Sequence, residues 1–157
     1  MTSWDNSRKG PEILIKVLPH GRGLDLPAYA TEMAVGMDLA AAVDQDMLLE
    51  PGQRGLVPAG FEMAVPPGYE AQVRPRSGLA VNNGIIVPNA PGTIDPDYRG
   101  EVKVILLNMG TEPFIIRRGM RVAQMVIVPA VHADVRTVDQ LPPTGRGDGG
   151  FGSTGTA

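Results

Sequence analysis

The stretch Asn89-Ala90-Pro91-Gly92-Thr93-Ile94-Asp95-Pro96-Asp97-Tyr98-Arg99-Gly100-Glu101, followed by Val102-Lys103-Val104-Ile105-Leu106-Leu107, decides how this chain reads. Its first part is dense in turn formers, and its second is a strand-like apolar run. Apolar strands bracketing the Pro-Gly and Asp-Pro turns make a hairpin, and a hairpin mouth is a small concave site. That mouth offers an amide (Asn89), a carboxylate (Asp95), a phenol ring (Tyr98) and free backbone groups. Such groups can hold a nucleobase by its hydrogen-bonding edge and a sugar by its face. They can equally decorate a surface turn.

The same alternation of short strand and turn extends in both directions. The 20 glycines and 15 prolines punctuate the chain at Glu50-Pro51-Gly52, Pro66-Pro67-Gly68, Asn89 to Gly92, Asp95 to Gly100, Asn108 to Pro113 and Arg117 to Gly119. Between them lie Ile13 to Leu18, Val35 to Val43, Gly60 to Val65, Tyr69 to Val73, Gly84 to Val87, Val102 to Leu107 and Val122 to Val128. Short strands with turns at this spacing predict an all-β fold, a jelly-roll-like antiparallel β-barrel. Only Ser77 to Asn82 can make a turn or two of helix, with Gly84 as its stop.

At 157 residues the chain is long enough for one ordinary core. It has no cysteine, which removes disulfides and thiolate zinc, and its two histidines, His20 and His132, have no ligand-like spacing. A net charge of −3 leaves no basic footprint for nucleic acid. No apolar run approaches the roughly 20 residues that span a membrane. Met1 to Pro11 is polar, without the apolar centre of a signal peptide. The expectation is a soluble cytoplasmic protein with neither nucleic-acid nor membrane partners. It divides into a body over 1–141 and a glycine-rich segment over 142–157, Pro-Pro-Thr-Gly-Arg-Gly-Asp-Gly-Gly-Phe-Gly-Ser-Thr-Gly-Thr-Ala. Such a composition buries too little apolar area to offset its ordering entropy, so a flexible C-terminal tail is expected. It is either a plain tail or a lid whose Arg146 and Phe151 close on something anionic and planar.

Three further segments can carry chemistry. Arg74-Pro75-Arg76-Ser77-Gly78-Leu79-Ala80 sets a cation, a hydroxyl and a glycine at the start of the short helix. Unpaired N–H groups there suit phosphate oxygens, or Ser77 simply caps the helix beside a surface arginine. Ala34-Val35-Gly36-Met37-Asp38-Leu39-Ala40-Ala41-Ala42 puts one carboxylate in an apolar strand, where Asp38 requires a structural partner or a nearby cation. One carboxylate is no cage for Mg²⁺, but it suffices to hold a water of a Mg²⁺ carried by a nucleotide. In Arg117-Arg118-Gly119-Met120-Arg121-Val122-Ala123-Gln124-Met125, Arg121 and Gln124 can face a ligand or brace the hairpin from beneath, with a structural role favoured for Arg121.

In order, the five segments AVGMDLAAA, PRSGLA, NAPGTIDPDYRGE, RRGMRVAQM and RGDGGFGSTG resemble the five motifs of the trimeric dUTPase family, from about Leu26 to the C-terminus. The resemblance implies a jelly-roll subunit in a homotrimer with active sites at subunit junctions. It implies Mg²⁺-assisted hydrolysis of dUTP to dUMP and pyrophosphate, which keeps uracil out of DNA and supplies dUMP for dTMP synthesis. Carried over by position, Asp95 orients the attacking water. Asn89 and the backbone around Thr93 and Ile94 read the uracil edge, while Tyr98 packs on the deoxyribose and excludes a 2′-hydroxyl. Lys103 lies beside the nucleotide, and Gln124 borders it. Arg76, Ser77 and Gly78 hold the phosphates, and Asp38 holds a water on Mg²⁺. In the tail, Phe151 stacks on uracil, Arg146 reaches the γ-phosphate, and Gly152, Ser153 and Thr154 line the triphosphate. Asp148 departs from this logic by placing a negative charge near a phosphate. The related dCTP deaminases carry a Glu and an Arg where this chain has Ile105 and Val81, neither of which can move protons. A regulatory protein signalling through its nucleotide-bound state is the rival from another class; it could lose Asp95 or the tail, and both are present.

Overall fold

The computed structural model describes residues 10–150. Ten strands, one helix and one 3-10 turn follow in the order β1 (Leu14–Val17), the turn Pro19–Gly21, β2 (Met37–Ala40), β3 (Met47–Leu49), β4 (Arg54–Ala64), β5 (Tyr69–Arg74), α1 (Ser77–Asn83), β6 (Ile85–Ile86), β7 (Gly92–Ile94), β8 (Glu101–Asn108), β9 (Phe114–Ile116) and β10 (Arg121–Pro129). They form two four-stranded sheets, β1-β4-β8-β6 and β2-β10-β5-β7, with a small ribbon, β3-β9. Every named strand pairing is antiparallel. The all-β jelly-roll expectation holds as layered sheets; among the described residues no ladder joins the sheet edges into a closed barrel. No helix among them is long and apolar enough to cross a membrane.

Period-two patterning explains the layering. In β8, Val102, Val104, Leu106 and Asn108 are buried while Glu101, Lys103, Ile105 and Leu107 are not. Those valines and Leu106 meet Met37 and Leu39 of β2, Val57 and Phe61 of β4, Val73 of β5 and Met125 of β10 in one core. Asn108 is the buried polar exception, and its amide is fully engaged. Its Nδ2 donates to Leu49 O (2.9 Å) and Glu112 O (2.8 Å), and its Oδ1 accepts from Gly110 N (2.9 Å). These bonds pin the ribbon to the end of β8, and satisfaction is what makes a buried amide tolerable.

The expected strand Gly60 to Val65 is the second half of a longer one that begins at Arg54. Pro58 reads as a strand breaker, but it sits beside an irregularity where the β4–β8 register moves from Pro58↔Lys103 to Glu62↔Glu101. Gly60, at φ 77°, occupies the bulge. The helix begins at Ser77 as expected and ends at Gly84, whose φ of 67° is the left-handed cap that only glycine adopts without strain.

The hairpin proves to be wider than the sequence indicates. Its flanking runs do pair antiparallel, Ile85↔Asn108 and Ile86↔Leu107. Between them, however, β7 leaves that sheet and pairs with β5, Ala71↔Ile94 and Gln72↔Thr93. The mouth therefore bridges the two sheets, and β7 and β8 do not face each other across a simple turn.

Candidate functional site

Two clefts gather most of the residues singled out from the sequence. The first forms where β5 ends. Arg76 caps α1 in an extended conformation (φ −93°, ψ 127°), so Ser77 is the first helical residue and not the cap; no side chain caps this end. Arg76 Nε lies 2.9 Å from Asp38 Oδ1, and its Nη1 donates to Arg121 O at 3.2 Å. Arg121 Nη1 donates to Asp38 Oδ2 at 3.1 Å. Asp38 thus has the structural partners that an aspartate in an apolar strand demands, and they are two guanidinium groups. Partly exposed pairs of this kind contribute little to stability and exchange readily with other ligands.

Gln124, opposite Asp38 in the β10–β2 register, donates Nε2 to Pro75 O at 3.0 Å and ties the helix approach to the sheet. Asp38, Arg76, Ser77, Gly78 and Gln124 line one cleft of about 330 Å³, together with Asn82 and Asn83. A Cβ built on Gly78 would meet no atom, so that face of the first helical turn opens onto free space. Arg76, Ser77, Asn82, Asn83 and Gln124 make the cleft rich in hydrogen-bond donors, a character suited to an oxyanion. Asp38 and Arg121 also border a larger hollow of about 510 Å³ with Leu24, Asp25, Tyr29 and Gly119. Apart from Asp38 and Arg121, little in the sequence marked that hollow, because most of its walls are loop residues brought in from before β2.

The second cleft, about 190 Å³, is lined by Thr93, Ile94, Asp95, Tyr98, Glu101, Val102 and Lys103. Its geometry is set mostly by main chain. Tyr98 N donates to Asp95 O at 3.2 Å, and Tyr98 Oη donates to Glu101 O at 3.0 Å. Arg99 Nη1 closes the turn on Pro96 O (2.6 Å) and Tyr98 O (2.8 Å). Gly100 has no Cβ to obstruct the Tyr98 hydroxyl, which lies against it. Asp95 is exposed at the mouth, while Ile94 is buried behind it.

Glu101 is the residue that sequence reasoning missed. Its carboxylate contacts His20 Nε2 at 2.6 Å and Lys103 Nζ at 3.7 Å. Two predicted residues lie in neither cleft. Asn89 is exposed on the approach to β7, with its Nδ2 close to Gly92. Arg146 is exposed and donates Nε to Gly149 O at 2.7 Å in a local turn. Phe151, Gly152 and Ser153 lie outside the described residues.

The dUTPase family model matches residues 23–155. The chain is 56% identical over 148 residues to the deoxyuridine 5'-triphosphate nucleotidohydrolase of Rhizobium meliloti (strain 1021), covering 93% of this chain and 92% of that protein. It is 57% identical over 147 residues to the protein of the same name from Rhizobium rhizogenes (strain K84 / ATCC BAA-868), covering 92% and 94%. Among solved structures, the Staphylococcus bacteriophage 80alpha dUTPase with dUpNHpp superposes with a TM-score of 0.82 at 22% identity, over 92% of this chain and 99% of that one. A mutant dUTPase of phage phi11 of S. aureus, described for its structural Mg(II) ion, superposes with a TM-score of 0.74 at 18% identity, over 84% and 99%. These two likenesses concern the fold. The chain belongs to the dUTPase family.

Proposed function

We propose that the chain hydrolyses dUTP to dUMP and pyrophosphate by Mg²⁺-assisted attack of a water held by Asp95 on the α-phosphorus. That it is a dUTP diphosphatase follows from its family and from relatives of that name at more than half identity over nearly its whole length. The observation that carries the residue assignment is the cleft where Thr93, Ile94, Asp95, Tyr98 and Lys103 meet. Main-chain groups of Thr93 and Ile94, with Asn89 nearby, read the uracil edge. Cytosine presents a donor where uracil presents an acceptor, and an unpaired buried polar group costs about 1–3 kcal/mol. Tyr98 packs on the deoxyribose and leaves no room for a 2′-hydroxyl. Lys103 adds a cation beside the nucleotide, with Gln124 bordering the phosphate side.

Asp95 acts mainly by placing the water in line, since positioning is worth more than proton abstraction. Arg76, Ser77 and Gly78 take up phosphate charge as the α–β bond breaks. Among the described residues no group of three or more His, Cys, Asp or Glu could hold a metal, so a protein-caged ion does not fit. A Mg²⁺ that arrives on the triphosphate with its waters does fit Asp38, the one carboxylate lining the phosphate-side cleft, which would hold one of those waters. When bound, the ion neutralises triphosphate charge.

In a homotrimer with sites completed between copies, the phosphate-side cleft of one chain would work together with the base-side cleft of another. Residues 142–157 then serve as a lid on the body over 1–141. Arg146 leaves its local turn for the γ-phosphate, Phe151 covers uracil, and Gly152 and Ser153 donate to phosphate. The setting is cytoplasmic, where the reaction keeps uracil out of DNA and supplies dUMP for dTMP synthesis. The test is pyrophosphate release from dUTP, dTTP, dCTP and UTP in parallel, with Mg²⁺ and with EDTA. Release from dUTP alone, suppressed by EDTA, is expected; no release from any of the four would overturn the assignment. Sedimentation should give a species of three chains.

A further inference from the structure

The 3-10 turn Pro19–Gly21 belongs to none of the five motifs, yet it is fastened to the base-side cleft. His20 Nε2 stands 2.6 Å from Glu101 Oε1, a residue 81 positions away. The same oxygen accepts Gly60 N–H at 3.1 Å from the bulge of β4. Leu18 N donates to Gly60 O at 2.9 Å, and the Gly21 and Gly60 backbones press together so closely that a methyl on either would run into the other. The turn is thereby seated on the bulge, and two donors hold one carboxylate oxygen.

Glu101 faces the cleft with what remains. Its Oε2 stands 3.7 Å from Lys103 Nζ, a looser approach than the 2.7 Å of the Lys16–Glu62 surface pair. Its main-chain oxygen anchors the Tyr98 hydroxyl at 3.0 Å. Tyr98, Glu101 and Lys103 all line the cleft. The other charged groups near this cluster are Asp95, which lines the same cleft, Asp44, which shares a neighbouring hollow with His20, Glu101 and Lys103, and Glu62, which is paired to Glu101 in register and tied to Lys16.

We propose that His20 is a positioning residue for the deoxynucleotide cleft, acting through Glu101. By helping to hold Oε1, it stops the carboxylate from turning to clasp Lys103, and so keeps the ammonium available at the cleft. A site of this kind works only when the residues behind it fix the groups that touch the ligand. The inference rests on reading the cleft as the deoxyuridine pocket. Without His20, Oε1 loses a charge-assisted partner and Glu101 draws Lys103 off the nucleotide. Substrate affinity falls, while the Asp95 carboxylate, which is bonded to none of these groups, keeps its turnover.

The experiment is steady-state kinetics with dUTP on the full chain for His20→Ala, His20→Gln, Lys103→Ala, the double variant His20→Ala/Lys103→Ala, and Lys16→Ala as a surface control. His20→Ala should raise KM about tenfold, the loss expected for one hydrogen bond to a charged group, with kcat within about twofold. His20→Gln, which keeps an N–H donor, should recover most of that loss, and the double variant should be no worse than Lys103→Ala alone. Lys16→Ala should leave KM unchanged. An unchanged KM in His20→Ala, while Lys103→Ala raises it, would overturn the positioning role and leave the cleft reading intact. So would a His20→Ala effect that persists in full on top of Lys103→Ala. An unchanged KM in Lys103→Ala would overturn the cleft reading itself and this inference with it. Should His20→Ala fail to fold, His20→Asn, too short to reach Glu101, takes its place under the same criteria.

Discussion

The cleft at the start of α1 and the cleft of the turn between β7 and β8 are built in opposite ways. The first is an assembly of side chains from separate elements: Asp38 of β2, Arg76 at the helix cap and Gln124 of β10, with Arg121 of β10 bonded to Asp38 from the neighbouring hollow, held by ion pairs and by a hydrogen bond from Gln124 Nε2 to Pro75 O. The second is largely main chain, with Asp95, Tyr98, Arg99 and Gly100 locked into one turn. Guanidinium–carboxylate pairs at a partly exposed site can be traded for phosphate oxygens at small cost. Main-chain groups in a closed turn cannot be traded, and that rigidity is what discrimination between nucleobases requires. One cleft is suited to gripping charge of variable position, the other to reading a fixed edge.

Substitutions that respect this contrast should separate into distinct kinetic classes. The largest effect is expected from Asp95→Asn, which keeps the turn but loses the charge proposed to hold the water. Turnover should fall about 10³-fold with dUTP binding retained, as measured by single-turnover kinetics and calorimetry. Near-normal turnover would remove Asp95 from its role. Arg76→Ala deletes a donor that matters most as charge develops, so kcat/KM should fall about 10²-fold. Its melting temperature should stay close to the parent value, because the Asp38 pair it leaves is partly solvent-exposed; a large drop would make the first cleft as structural as the second. Gly100→Ala tests the closed turn directly. The new methyl collides with the Tyr98 hydroxyl, and strain of about 1–3 kcal/mol should appear as both a lower melting temperature and a raised KM. The mildest change is Tyr98→Phe, which removes only the bond to Glu101 O. A loss of about 1 kcal/mol, roughly fivefold in KM, is expected, with turnover unaffected.

Legibility followed sequence separation. The helix and its glycine stop were readable because they lie within a single short segment, Ser77 to Gly84, although the cap proved to be Arg76 and not Ser77. Asp95 and Tyr98 drew notice for the same reason, both belonging to one turn, whereas Lys103 entered only through the resemblance; the structure places all three along one cleft. The ribbon of β3 and β9 escaped notice, since three residues per strand carry too little periodicity to register. The first half of β4 was hidden by Pro58, whose tolerance depends on a bulge that exists only opposite β8. The route taken by β7 could not be foreseen either: nothing in Gly92-Thr93-Ile94 says that its ladder partner is β5 and not β8.

By itself the sequence determined the all-β class, the short helix and the membership of the two clefts' local segments, because each rests on turn chemistry and side-chain alternation over a few neighbouring residues; the family was legible from the resemblance of five segments in order along the chain. Only the tertiary structure decided which distant groups share a charge. It set Asp38 between Arg76 and Arg121, and it joined His20 to Glu101 at the edge of the cleft that Asp95 and Tyr98 line. Such pairings depend on strand register and on the seating of one loop against a bulge, both fixed by packing of the whole core.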